Sequence, residues 1–249
     1  MEKKGMRRLL GLSILGICTF YLGCASPGQP TAKVTHATGP TIQQAQMERY
    51  DGPKARVAVG DFQVKAAGAT MEIGDGLREM LVTALFSADR FIVLERQAIQ
   101  DVMLEQDLGA SGRVKKQTAA PIGQLEGAEL MIYGVVSEFQ SGSSGVSIGF
   151  SMSNLPLGAG GGAKNSHMAI DLRVVDTATG RILCATRVEG KATDYHAGLH
   201  TQVGGGMTTM PIGLKAYQNT PMEKAIRVCI EKAVGVIVSK TPAQYFHAR

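Results

Sequence analysis

Leu9 to Leu22 is an apolar run preceded by Lys3, Lys4, Arg7 and Arg8 and followed by Gly23-Cys24. A bilayer-spanning helix needs about 20 such residues, so the run is too short to be one. Its charged flank instead marks residues 1–23 as an export signal. A small residue directly before a thiol is what lipoprotein processing requires, so Cys24 is the predicted lipid attachment site. Tyr21 stands where that motif usually has Leu. Ala25 follows the thiol, with no Asp to retain the chain at an inner membrane, which favours the outer membrane. The rest of the chain is therefore expected to fold in the periplasm, held to a membrane by its first residue.

This start changes what the composition means. The full sequence has 26 basic and 21 acidic residues. Removing Lys3, Lys4, Arg7, Arg8 and Glu2 with the signal leaves 22 against 20. No basic stripe with interleaved aromatics remains, and nucleic-acid binding has no support. Of four cysteines, Cys18 leaves with the signal and Cys24 is modified. An oxidising compartment would let Cys184 and Cys229 pair. Cys229 falls on the apolar face of a helix, and that pattern favours two small buried hydrophobes over a disulfide.

Residues 24–53 hold Thr, Ala, Gly, Gln and several prolines without an apolar period, and read as a lipidated N-terminus and tether. The folded domain is expected over residues 54–240, with 241–249 as a tail. Arg56 to Asp61 reads as a buried strand. Ile73 to Phe86 reads as a helix with Ile73, Leu77, Met80, Leu81, Ala84 and Leu85 inward. Phe91 to Leu94 is a second strand. Gln97 to Leu108 is a second helix with Ile99, Met103 and Leu104 inward, and a helical turn is expected near Ile122 to Leu125. Leu130 to Phe139 is a third strand. His167 to Val175 alternates, with Met168, Ile170, Leu172 and Val174 on one face and Asp171 and Arg173 on the other. Asp176 to Gly180 is a turn into a further strand. The last helix starts at Thr220 as N-cap, with Pro221 at its first position and Glu223 closing a capping box. Its buried stripe is Met222, Ile226, Cys229, Ile230, Ala233 and Ile237. The fold class is α/β or α+β.

Two segments, about 140–166 and 190–218, interrupt this pattern with Gly, Ser and Thr. In the first, Val146, Ile148, Phe150 and Met152 alternate with Ser147, Gly149, Ser151 and Ser153. In the second, Met210, Ile212, Leu214 and Ala216 alternate with Thr209, Pro211, Gly213 and Lys215. Alternation of this length between turn residues is the signature of membrane β-strands. Long loops are the other reading, and long structureless loops are uncommon in compact domains. The apolar sets in the two segments, from Val146 to Met152 and from Met210 to Leu214, are the candidate lipid-facing residues.

Three local matches to catalytic motifs fail on context. Gly145-Val146-Ser147-Ile148-Gly149 has the letters of a nucleophile elbow, but the alternation runs on through it and no helix follows. His196 and His200 have helical metal-pair spacing, yet Gly198 and the missing Glu argue against a metal helix. Gly158 to Lys164 lacks both the Gly before Lys164 and the hydroxyl after it, so it makes a poor phosphate loop. No catalytic residue, metal ligand or cofactor is expected.

Four runs, taken in order, resemble the curli production assembly/transport component (CsgG) family of outer-membrane secretion channels. They are Met80-Leu81-Val82-Thr83-Ala84-Leu85, Phe91 to Gln97, Asp171 to Leu183, and Asn219-Thr220-Pro221 leading into the last helix. The resemblance covers about Lys54 to Lys240. It implies a periplasmic α/β domain whose two β-hairpins enter the outer membrane and form part of a shared oligomeric transmembrane β-barrel. It also implies a homo-oligomeric ring, outer-membrane lipid, an unfolded secreted protein as cargo, and periplasmic accessory proteins. In the family an aromatic- and Asn-bearing loop between the first strand and first helix narrows the pore. Here that connection, Gln63 to Glu72, is shorter and has neither, which leaves Val64, Lys65, Gly68 and Ala69 as pore-loop candidates. The alternative is a non-pore lipoprotein adaptor, such as an activator of cell-wall synthases or a holdfast-assembly factor.

Overall fold

The computed structural model describes residues 31–34, 50–144, 163–195 and 210–248. In chain order the elements are β1 (Thr31–Val34), β2 (Ala55–Val64), α1 (Met71–Ser87), β3 (Phe91–Leu94), α2 (Ile99–Ala110), β4 (Leu130–Ser144), β5 (Ala163–Asp176) and β6 (Ile182–Tyr195). A 3-10 turn (Ile212–Tyr217), α3 (Pro221–Lys240) and a second 3-10 turn (Ala243–Tyr245) follow. The strands form one six-stranded mixed sheet in the order β1-β6-β5-β4-β2-β3. β2 runs parallel to β3 and β4, while β4, β5, β6 and β1 pair antiparallel in succession.

One face of the sheet carries α1 and α3, and the core lies between. Leu130, Ile132 and Val136 of β4 and Met168, Ile170, Leu172 and Val174 of β5 are buried there, as the period-two alternation requires. A register shift in β2 between Val59 and Phe62 returns Phe62 to the core face, where its ring lies over Gly134. α1 buries the predicted stripe from Ile73 to Leu85. α3 starts as its sequence dictates. Thr220 is extended and its hydroxyl accepts the Glu223 N–H at 3.4 Å. The Glu223 carboxylate accepts from the Asn219 N–H at 2.5 Å, because the Thr220 N–H is already given to Tyr217 at 3.1 Å. Arg227, one turn on, binds the same carboxylate at 2.7 Å.

α3 lies close enough to β6 that a β-carbon on Gly190 would stand 2.0 Å from the Ala225 carbonyl oxygen. Cys229, in the same layer, is fully buried. Its thiol donates to the Val188 carbonyl at 3.5 Å, and burial pushes its pKa well above the usual thiol range. Cys184 and Cys229 are both free thiols; Cys229 is a buried small hydrophobe as read, while Cys184 is half-buried.

Several sequence expectations need correction. Thr31–Val34, inside the segment read as a tether, forms an edge strand against Val188–Lys191 of β6. Residues 241–248, read as a tail, close back on the core. Thr241 and Tyr245 are buried, and the Phe246 ring lies 6.1 Å from that of Phe91. Lys54 and His247 exchange backbone hydrogen bonds of 3.0 and 3.1 Å. The Tyr245 hydroxyl donates to the Asp176 carboxylate, which also accepts from the Thr179 N–H. These bonds hold Asp176 below the usual carboxylate range and fix the predicted turn. α2 forms where expected but buries nothing: Met103 and Leu104 are 45 % and 68 % exposed. Among the described residues the helix finds no surface to cover. Residues 122–125 form no helix, and Ile122 and Leu125 are exposed.

Candidate functional site

β4, β5 and β6 are longer than the core they serve. The α-helical layer covers them as far as Phe139, Met168 and Ala192. Beyond it Gln140, Ser141, Gly142 and Asn165 are exposed, yet the pairing continues to Ser144 with Lys164 and to Ala163 with Tyr195. A register shift between Gln140 and Ser143, with Gly142 at φ 71°, re-aims the β4 strand as it leaves. The buried Ser166 hydroxyl accepts the Gly142 N–H at 3.4 Å and holds the two strands together there. The three strands thus leave one end of the sheet side by side. The ends at Ser144, Ala163 and Tyr195 are the points from which the two Gly-rich segments continue.

Val146, Ile148, Phe150 and Met152 lie outside the described residues. So do Cys24, the residues 145–149 and 158–162 of the motif matches, and His196 and His200. The second candidate set is described and is corrected. Residues 212–217 form a 3-10 turn and not a strand. Met210 is 6 % exposed and Leu214 fully buried, so both belong to the core of this chain and do not face lipid. The alternation of residues 209–216 misled because Pro211 opens the turn and Gly213 lets it approach α1. A β-carbon on Gly213 would meet the Glu72 carbonyl at 1.8 Å. Leu214 then packs against Gly76. Ile212 of the set is 94 % exposed.

The connection from β2 to α1 stands at the same end as the departing strands. The Lys65 and Ala66 N–H groups both donate to the Val136 carbonyl, at 2.9 and 3.0 Å, and Ala69 donates to Ala66 at 3.3 Å. Gly68 takes φ 83°, which closes the turn. Val64 and Ala69 pack against the core, while Lys65 and Gly68 are exposed. The four pore-loop candidates therefore divide into two inward and two outward residues on a short, pinned turn.

A charged cluster stands at the root of the same strands, on the sheet face opposite α1 and α3; the sequence shows its β6 members close together, but not their partners Glu138, His167 and Asp171. Register sets Asp171 of β5 opposite Arg187 of β6, and His167 opposite Lys191. Arg187 binds Glu138, lies 3.3 Å from Glu189 and 3.9 Å from Asp171. His167 lies 3.1 Å from Glu138 and 3.8 Å from Glu189. Burial pushes the Glu189 carboxyl up, but Lys191, Arg187 and His167 outweigh it and hold the pKa below the usual range. For Arg187 burial acts downward, and Glu138 and Asp171 reverse the direction. The pairs are partly exposed, so each contributes on the order of 0.2–1 kcal/mol. Their common effect is to lock the register of three strands where they quit the core. The signal was present as Arg187, Glu189 and Lys191 at period two, but only strand pairing shows which charges answer them.

No helix among the described residues is long and apolar enough to cross a membrane. A family model for the curli production assembly/transport component CsgG matches residues 39–248. The CsgG protein of Salmonella typhimurium is 29 % identical over 184 residues, 66 % of this chain and 66 % of that protein. The Citrobacter koseri CsgG is 24 % identical over 191 residues, 69 % of this chain and 68 % of that one. The chain thus spans about two thirds of the curated relatives it matches. Among solved structures, a PelC dodecamer from Paraburkholderia phytofirmans aligns with TM-score 0.36 and 12 % identity, covering 89 % of this chain and all of that one. The LpoB C-terminal domain from Escherichia coli aligns with TM-score 0.31 and 14 % identity over 59 % of this chain and 90 % of that one. On the extent of the family match, the chain belongs to the CsgG family of curli production assembly/transport components.

Proposed function

We propose that this chain is the lipid-anchored subunit of a ring-shaped, nucleotide-independent secretion channel in the outer membrane. Cys24 carries the lipid, and the sheet domain stands in the periplasm. The segments within 140–166 and 190–218 extend as hairpins into the bilayer, with Val146, Ile148, Phe150 and Met152 towards lipid. The cargo is an unfolded extracellular subunit of the curli type, moving by diffusion. One observation carries this reading: three paired strands continue past the core and bring both segments to one end of the sheet. Four strands from one subunit cannot close a pore, so the barrel is shared among copies. Barrels of up to about 36 strands allow a ring of roughly nine subunits.

Lys65 stands exposed on the turn at that end. Repeated round a ring it forms a positive band, and such bands favour anions. With Ala66, Ala67, Gly68 and Ala69 beside it and no aromatic, the constriction is wide. The same small, pinned turn is the observation that favours the adaptor reading, because it offers little to narrow a pore. Planar-bilayer recording of detergent-extracted protein decides between them. A channel gives stepwise conductance with anion preference, and Lys65→Glu shifts the reversal potential towards cations. Intact rings without conductance would leave the adaptor.

A further inference from the structure

α2 is an anomaly of the fold. It has no buried residue, and its N-cap, Ala98, makes no side-chain capping bond. A helix of this length is marginal in water unless something packs on it. Its sequence is that of a covered helix, because Leu104 and Leu108 lie on one side and Val102 and Met103 on the other, all four of them exposed. It makes no extensive contact with any other helix or strand described. The chain past its end turns back, with Ala119 against Gly109, and carries Arg113, Lys115 and Lys116.

A surface of matching chemistry lies elsewhere on the same molecule. Between α1 and the 3-10 turn runs a groove lined by Glu72, Asp75, Glu79 and Met80 of α1 on one side and by Met210 and Ile212 on the other. On the turn side Ile212 is 94 % exposed. Three acids three and four residues apart make one negative stripe along α1. The three basic residues after α2 complement that stripe. Lys215, exposed on the turn, complements Asp101 and Glu105 of the helix itself.

We propose that α2 and the basic stretch after it, residues 99–116, are an arm that docks in the α1 groove of a second copy of this chain. The inference rests on the ring reading and adds the contact that builds the ring. Arm and groove are different surfaces, so the contact is head-to-tail. A head-to-tail contact with closing rotation generates a ring and not an isolated dimer.

The test uses the full lipidated chain extracted from membranes. Leu104→Cys and Ile212→Cys together, under mild oxidation, give a ladder of cross-linked oligomers, while either cysteine alone gives none. The reversal Lys115→Glu with Lys116→Glu disperses the rings, and adding Glu72→Lys, Asp75→Lys and Glu79→Lys restores them. That rescue separates lost docking from misfolding. Wild-type rings without a ladder, and unaffected by the reversal, overturn the arm and leave the ring standing. Cross-linked dimers from Leu104→Cys alone overturn it in favour of a two-fold contact. A wild-type protein that forms no rings overturns the ring reading and the arm with it.

Discussion

Gly190→Ala tests how the helical layer is seated on the strands that lead to the candidate membrane segments. The added β-carbon would lie 2.0 Å from the Ala225 carbonyl oxygen and 2.9 Å from the Cys229 β-carbon. Ordinary carbon–oxygen contact is about 3.2 Å, so α3 must retreat from β6 by roughly 1.2 Å. The obstacle is helix backbone and cannot rotate away as a side chain does. A gap of 0.5–1 Å forfeits about a quarter to a half of each dispersion contact it opens. The contacts at risk are those of Met222, Ala225, Ile226 and Cys229, all buried. Overpacking of this kind costs about 1–3 kcal/mol, and rigid backbone on both sides sets the expectation near the top. Loss of glycine's freedom in the unfolded chain returns about 0.4–1 kcal/mol. The net loss is about 2 kcal/mol, a fall in melting temperature of roughly 4–8 °C for a chain of this size. Gly127→Ala, where nothing lies within 4 Å, is the control for the same chemical change. Thermal and urea unfolding followed by circular dichroism gives both values. If Gly190→Ala is as stable as Gly127→Ala, α3 does not sit on β6 as described.

Cys24→Ser abolishes labelling by a radioactive fatty acid, because the hydroxyl cannot replace the thiol that takes the lipid; equal labelling of both proteins refutes the anchor. Arg at Ile148 or Phe150 destabilises the assembled barrel by about 2–4 kcal/mol if those residues lie at mid-bilayer. Arg at Ser147 or Ser151, on the lumen side, is tolerated and changes conductance; four equal, small effects in heat-dissociation assays refute the membrane strands.

Much of the fold was legible because it follows from local rules. The period-two run from Met168 to Val174 can bury one face only as a strand, and the capping box of Thr220 and Glu223 fixes where α3 begins. The FIVL run of β3 and the Asp176–Gly180 turn were equally local. The export signal and the candidate lipid site at Cys24 are read from sequence alone. Tertiary structure decided the rest, because those features depend on what lies opposite. Met210 and Leu214 alternate like strand residues, but Gly213 lets the chain approach α1 and turn there, and both side chains enter the core. Met103 and Leu104 look like core residues of an ordinary helix, and only the assembled fold reveals that nothing among the described residues covers them. The Arg187 cluster exists only through cross-strand register, which brings Glu138 and Arg187 together across 49 residues of chain. Periodicity records which side chains need burial or pairing; the partner is chosen by contacts distant in sequence, and no local pattern encodes it.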